Sequence, residues 1–139
     1  MSNHNRIVLK GIGRAEEGTA GGTITPGQLV ALNSSGSYVV HATAGDYAER
    51  VFAIENALAG KGIADNYAAN DLAQLWAGAP GDEVLAWLTT AQTVVVGDRL
   101  ASAGNGYLRK KGSGDVPLAV ALEAVTTTGS AARIRVRLL

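Results

Sequence analysis

The end of the chain shows its structure through alternation alone. In Ala132-Arg133-Ile134-Arg135-Val136-Arg137-Leu138-Leu139, apolar and charged residues take turns. A period of two is that of a β-strand with one buried and one wet face. A helix would scatter the three arginines around its axis, whereas a strand sets Arg133, Arg135 and Arg137 on one face.

Two hairpins follow the same plan. Leu29-Val30-Ala31-Leu32, Asn33-Ser34-Ser35-Gly36 and Ser37-Tyr38-Val39-Val40 read as strand, turn and strand. Arg99 to Ser102, Ala103-Gly104-Asn105-Gly106 and Tyr107 to Lys110 repeat that order, with Asn-Gly supplying the positive φ of a tight hairpin turn. The match reaches beyond the hairpins. Gly27 and Gly97 precede them, Gly45-Asp46 and Gly114-Asp115 follow them, and Val51 to Glu55 resembles Ala119 to Glu123. The spacing stays near 70 residues across these landmarks, as an internal duplication of one strand-turn unit requires.

Further strands are expected at Ile7 to Lys10, Leu72 to Ala77 and Glu83 to Thr89, the last two joined through the turn-rich Gly78-Ala79-Pro80-Gly81-Asp82. Gly60 and Gly62 favour a loop over Leu58 to Asn70. No long segment combines helical periodicity with capping signals. The pattern predicts an all-β chain with little helix: a single β-barrel or sandwich-like domain. An N-terminal arm and first strand would occupy residues 1–22, and the barrel-like domain residues 23–139.

Composition sharpens this picture. The chain has 139 residues, enough for one domain with its own core. Glycine is abundant at 18 residues and aromatics make up only 5%, so the core must be built from small aliphatic side chains with many tight turns. That is poor material for a deep aromatic-lined pocket. Without cysteine, disulfides and thiolate chemistry are excluded. Lys+Arg and Asp+Glu are both 12, which lacks the basic excess of a protein that lives on nucleic acid or an anionic membrane. The polar start Met1 to Arg6 is no signal peptide, and no run approaches a membrane span.

Candidate chemistry is sparse. His4 lies in the polar tail; His41 ends a predicted strand and is either a base paired with Asp46 or a surface histidine. The spacing of a zinc site is missing. Gly60-Lys61-Gly62 and Gly11-Ile12-Gly13 fit neither a phosphate loop nor a dinucleotide fingerprint. Asp46, Asp82, Asp98 and Asp115 each follow a glycine, where an aspartate caps its own turn. The arginines of the last strand and Arg109-Lys110-Lys111 lack the interleaved aromatics of a single-strand nucleic-acid site, and suit an acidic protein surface better.

In order along the chain come Thr25-Pro26-Gly27-Gln28-Leu29-Val30, the Gly36 turn, Ala79-Pro80-Gly81-Asp82-Glu83-Val84, Val96-Gly97-Asp98-Arg99-Leu100 and Ala119-Val120-Ala121-Leu122-Glu123-Ala124. This order, from about Gly22 to Leu139, resembles that of the capsid decoration, or cement, proteins of tailed bacteriophages. The resemblance implies a β-barrel-like subunit, commonly a trimer, on the outside of an icosahedral shell. There it would clamp neighbouring major capsid protein subunits, with no catalytic residue, cofactor or metal, and no direct contact with nucleic acid or membrane. A carbohydrate- or ligand-binding module of a tail or baseplate is the alternative, and a β-barrel enzyme is disfavoured by the scarcity of histidine.

For such a protein the residues expected at capsid or subunit contacts are Arg6, Ile7 and Val8 in an arm that adds a strand to a neighbour, Trp76 and Trp87, and Arg133, Arg135 and Arg137. Of the two tryptophans, one is expected in the core and the other at an interface. The arm has a competing role as an ordinary first strand.

Overall fold

The computed structural model describes residues 4–139, so Met1, Ser2 and Asn3 of the arm lie outside the described residues. The chain runs through β1 (Val8–Lys10), β2 (Arg14–Thr19), β3 (Val30–Leu32), β4 (Tyr38–Val40), β5 (Val51–Ala53) and β6 (Leu72–Ala77). It continues through β7 (Glu83–Leu88), β8 (Thr93–Val94), β9 (Arg99–Gly104), β10 (Tyr107–Lys110), β11 (Ala119–Ala121), β12 (Val125–Thr126) and β13 (Ala132–Leu138). A 3-10 turn at Ala57–Ala59 is the only helical element among the described residues. The fold is all-β, as the alternation and the glycine turns predict.

The second half forms a closed barrel of five strands, β7-β10-β9-β11-β13, with β13 pairing back onto β7 from Ala132↔Leu88 to Arg137↔Glu83. The first half repeats this ring with shorter contacts. β2, β6 and β5 form one sheet and β3 and β4 another. Single bridges, Leu29↔Phe52 and Ala20↔Tyr38, link the two sheets into a circle.

The two rings correspond strand for strand. The parallel bridge Ala20↔Tyr38 has its counterpart in Leu88↔Leu108, and Ile24↔Tyr67 in Val94↔Val125. Ala53↔Leu75 corresponds to Ala121↔Val136, which places Thr19 and Leu72 of the first ring where Trp87 and Arg133 stand in the second.

The turns correspond too. Gln28 N–H donates to Thr25 O at 3.1 Å while its side-chain oxygen accepts from Thr25 N–H at 2.8 Å. Asp98 does the same with Val95, at 3.1 and 3.0 Å. Gly27 (φ 97°) and Gly97 (φ 94°) hold the position in these turns that requires positive φ. Asp82 on Ala79, Asp115 on Gly112 and Asp71 on Ala68 build the same turn again. The glycine-aspartate pairs at 81–82, 97–98 and 114–115 are therefore one structural device.

Each ring has its own core, and the cores meet at a seam. Ala20, Ile24, Val30, Val51, Ala53, Tyr67, Ala73 and Leu75 fill the first. The second is larger and takes in Leu29, Ala48 and Phe52, which point out of the first ring towards the second. Strand alternation explains the split: Val51 and Ala53 face one core, Phe52 the other.

The duplication makes a matched test. A Cβ on Gly27 would lie 2.9 Å from Leu85 O, because its turn is pressed into the seam; a Cβ on Gly97 would meet nothing within 4 Å. Gly97→Ala is expected to cost about 1–2 kcal/mol, the strain of positive φ. Gly27→Ala should cost about 2 kcal/mol more, since a backbone carbonyl must also move. Equal losses in urea denaturation would show that the seam does not press on Gly27.

Candidate protein interface

The arm is spent inside the chain. Val8 pairs with Val84, and Leu85 N–H donates to Ile7 O at 2.8 Å, so β1 lies along the edge of β7. Ile7 is fully buried in the second core, and its N–H donates to Glu55 Oε1 at 2.9 Å. Val8 is half-buried. Arg6 stands in solvent, its Nε 3.9 Å from Glu55, an ion pair of small worth at that exposure. Of the three arm residues, Arg6 alone is displayed.

Both tryptophans are half-buried, and both have their indole N–H satisfied within the chain. Trp76 donates to Asp82 Oδ2 at 3.0 Å. Trp87 donates to Pro26 O at 3.0 Å, with Tyr107 tilted against it and the Arg133 guanidinium 4.5 Å from its ring centroid. That cation–π contact is strengthened by burial.

The three arginines share a strand face but not a role. Arg133 donates through Nε to Pro26 O at 3.2 Å and through its other nitrogen to Ile63 O, so it pins two segments of the first ring to the second. Burial pulls its guanidinium below the ordinary arginine value. Arg135 lies 3.4 Å from Glu123. Arg137 is exposed and pairs in register with Glu83. Only Arg137 offers its charge freely.

His41 differs from both expectations. It is buried, and Asp46 is not its partner. Its Nδ1 lies 2.7 Å from Ser102 Oγ and its Nε2 3.1 Å from Tyr47 O. A carbonyl can only accept, so Nε2–H donates to Tyr47 O, while Nδ1 shares a hydrogen bond with the Ser102 hydroxyl. Asp46 caps Tyr47 N–H instead, at 2.8 Å. The chain just past β4 runs against the second ring rather than into water, which buries His41.

Asp82 is the most committed carboxylate. Its oxygens accept from Ile12, Gly13 and Ala79 N–H at 2.9, 3.0 and 3.0 Å, besides the Trp76 indole. Burial pushes its pKa up, but these donors outweigh burial and leave it below the ordinary value. Asp98 is lowered by the Val95 N–H and by Lys110, and Asp115 by the Gly112 N–H and by Arg109. Among the described residues no group of three His, Asp or Glu is placed to share a metal ion.

Two of the cavities among the described residues open at the surface near candidate positions. One, about 320 Å³, is lined by Arg6, Lys10, Glu55, Ile54 and Trp76 beneath the arm. The other, about 270 Å³, lies in the long loop beside Lys61, Asp65 and Tyr67.

The exposed apolar residues were not foreseen from the sequence. Val95 and Val96 are 55% and 64% exposed, Leu32 and Leu72 each 55%. A signal existed: Val94-Val95-Val96 stands where the first repeat has Ile24-Thr25-Pro26, yet the buried turn is the more polar one. No protein-family model and no curated protein matches the chain.

Proposed function

We propose that this chain is a structural virion protein, without enzymatic activity, that binds the outside of an icosahedral phage capsid. It stabilises the shell by clamping neighbouring major capsid protein subunits, acts as a homotrimer, and reaches the capsid from the host cytoplasm during assembly. The supporting observation is how the polar side chains are spent. Asp82, Asp98 and Asp115 each hold their own turn, and His41 and Arg133 hold the seam. What is left over is displayed surface on a braced frame, which is what a clamp requires. A protein that binds only the expanded lattice stabilises it by mass action.

The test is co-sedimentation with expanded capsids and with unexpanded precursors of the phage whose genome carries this gene. Binding to the expanded shell alone, with a raised temperature of capsid disruption, is the expected result. Absence of binding to either shell would sink the reading. One feature favours a second reading, a carbohydrate-binding accessory module of a tail or baseplate: Trp76 lines the 320 Å³ cavity beside Arg6 and Glu55. An aromatic face with flanking polar groups is what a sugar ring needs, and saturable glycan binding lost in Trp76→Phe would move the assignment there.

A further inference from the structure

The seam between the barrels is not symmetric. From the first ring, Gly27 and Gly45 enter it: Trp87 N–H donates to Gly27 O at 3.3 Å, and Gly45 exchanges bonds with Ser102 O and Val116 N–H at 2.8 and 2.9 Å. From the second ring it is the hairpin tip that enters. Gly106 O accepts from Leu29 N–H at 2.9 Å, and Gly106 N–H donates to His41 O at 3.0 Å. Two-fold related barrels would bury Gly97, Gly114 and Gly36 in the same way. A Cβ on any of these three would meet nothing within 4 Å. The contact is therefore head-to-tail: a turn face of one barrel receives the hairpin tip of the next.

A head-to-tail contact used once leaves one unused copy of each half. The free head is on the second barrel, at the Val95–Val96–Gly97 turn. The free tail is on the first, at the Gly36 hairpin tip and the β2–β6 edge. Both copies are apolar where the seam is covered: Val96 replaces Pro26, and Leu72 replaces Arg133, which grips Pro26 in the seam. Their charges are opposite as well. The head displays Arg99 and Lys111, while the tail displays Glu17 and, next to Leu72, Asp71.

We infer that a second copy of this chain docks onto the first head-to-tail, seating its Gly36 tip and Leu72 edge on the Val95–Val96 turn. The contact repeats between chains the seam that joins the barrels within one. The inference rests on the proposed function only for the expectation that the chain associates with itself, and it needs no capsid. Such a contact closes into a ring when the rotation between successive barrels divides a full turn, and otherwise continues as a filament. A ring of three chains would set six near-equivalent barrels around one axis.

Val96→Asp blocks the head and Leu72→Asp blocks the tail. Both positions are more than half exposed, so the fold is kept, which unchanged thermal melts would verify. Sedimentation of the wild-type chain is expected to give a mass above that of two chains, and each variant the mass of one. An equimolar mixture of the variants should form a two-chain species, because one intact head meets one intact tail and both outer ends are blocked. A wild-type chain that stays single at every concentration overturns the inference. So does a variant that assembles like the wild type, or a mixture that stays single. Capsid binding is read separately. Assembly without capsid binding removes the proposed function and leaves the seam. A single chain that loses capsid binding through Val96→Asp gives this face to the capsid protein instead.

Discussion

Asp82→Ala should destabilise the chain by about 4 kcal/mol, measured by urea or thermal denaturation. Four donors converge on this carboxylate: Ile12, Gly13 and Ala79 N–H and the Trp76 indole. They come from the β1–β2 connection, from β6 and from the turn into β7, so one side chain ties the arm to both barrels. Removing it strands the donors, and each unsatisfied group costs about 1–3 kcal/mol, reduced where water can enter at exposed Ile12. Asp82→Asn keeps one accepting oxygen. Placed where Oδ2 now accepts three of the four bonds, it should lose only about half as much. The pH dependence has a definite sign. The folded carboxyl titrates below its unfolded value, so its stabilisation is complete above the ordinary carboxylate range. It is lost as pH falls through the lower, folded-state value, and the alanine variant should lack that part of the acid transition. Identical acid melts for the two proteins would show that the carboxylate carries no such load.

Why that hub escaped sequence reading is instructive. Gly81-Asp82 reads correctly as a capped turn, and the turn bond to Ala79 is there. The other three donors come from residues far along the chain or across a strand, and no local pattern announces them. β2 shows the same limit. Arg14-Ala15-Glu16-Glu17-Gly18-Thr19 has no apolar alternation, because its side chains are mostly exposed and its backbone ladder to β6 holds it. The strands with a buried face, β13 above all, could be read directly. The repeat could be read too, from glycines whose φ the chain cannot supply otherwise. Which copy of a repeated element is covered could not, since that depends on how two barrels dock. Hence the arginine strand was placed correctly, while the use of Arg133 as a pin and the burial of His41 and Ile7 were not legible.

Phe52→Ala should cost about 4 kcal/mol in the free chain. Phe52 is the chain's only phenylalanine and is completely buried, facing out of the first barrel into the second core. Its removal opens a cavity between two closed rings, which cannot collapse onto it without breaking the Leu29↔Phe52 bridge that completes one of them. Val120 holds the same place in the second barrel, where no third barrel covers it, and it is only half-buried. Val120→Ala should therefore cost less than about 1 kcal/mol in the free chain. Two residues at equivalent positions would then differ several-fold in effect, because the head-to-tail seam is made once within the chain and fills its covered copy with the larger side chain. If the next seam is made between chains, the deficit at Val120 reappears as weakened self-association, detected as a rise in the concentration needed to assemble. Similar stability losses at Phe52 and Val120 would mean that the barrels are independent, with no covered face to repeat.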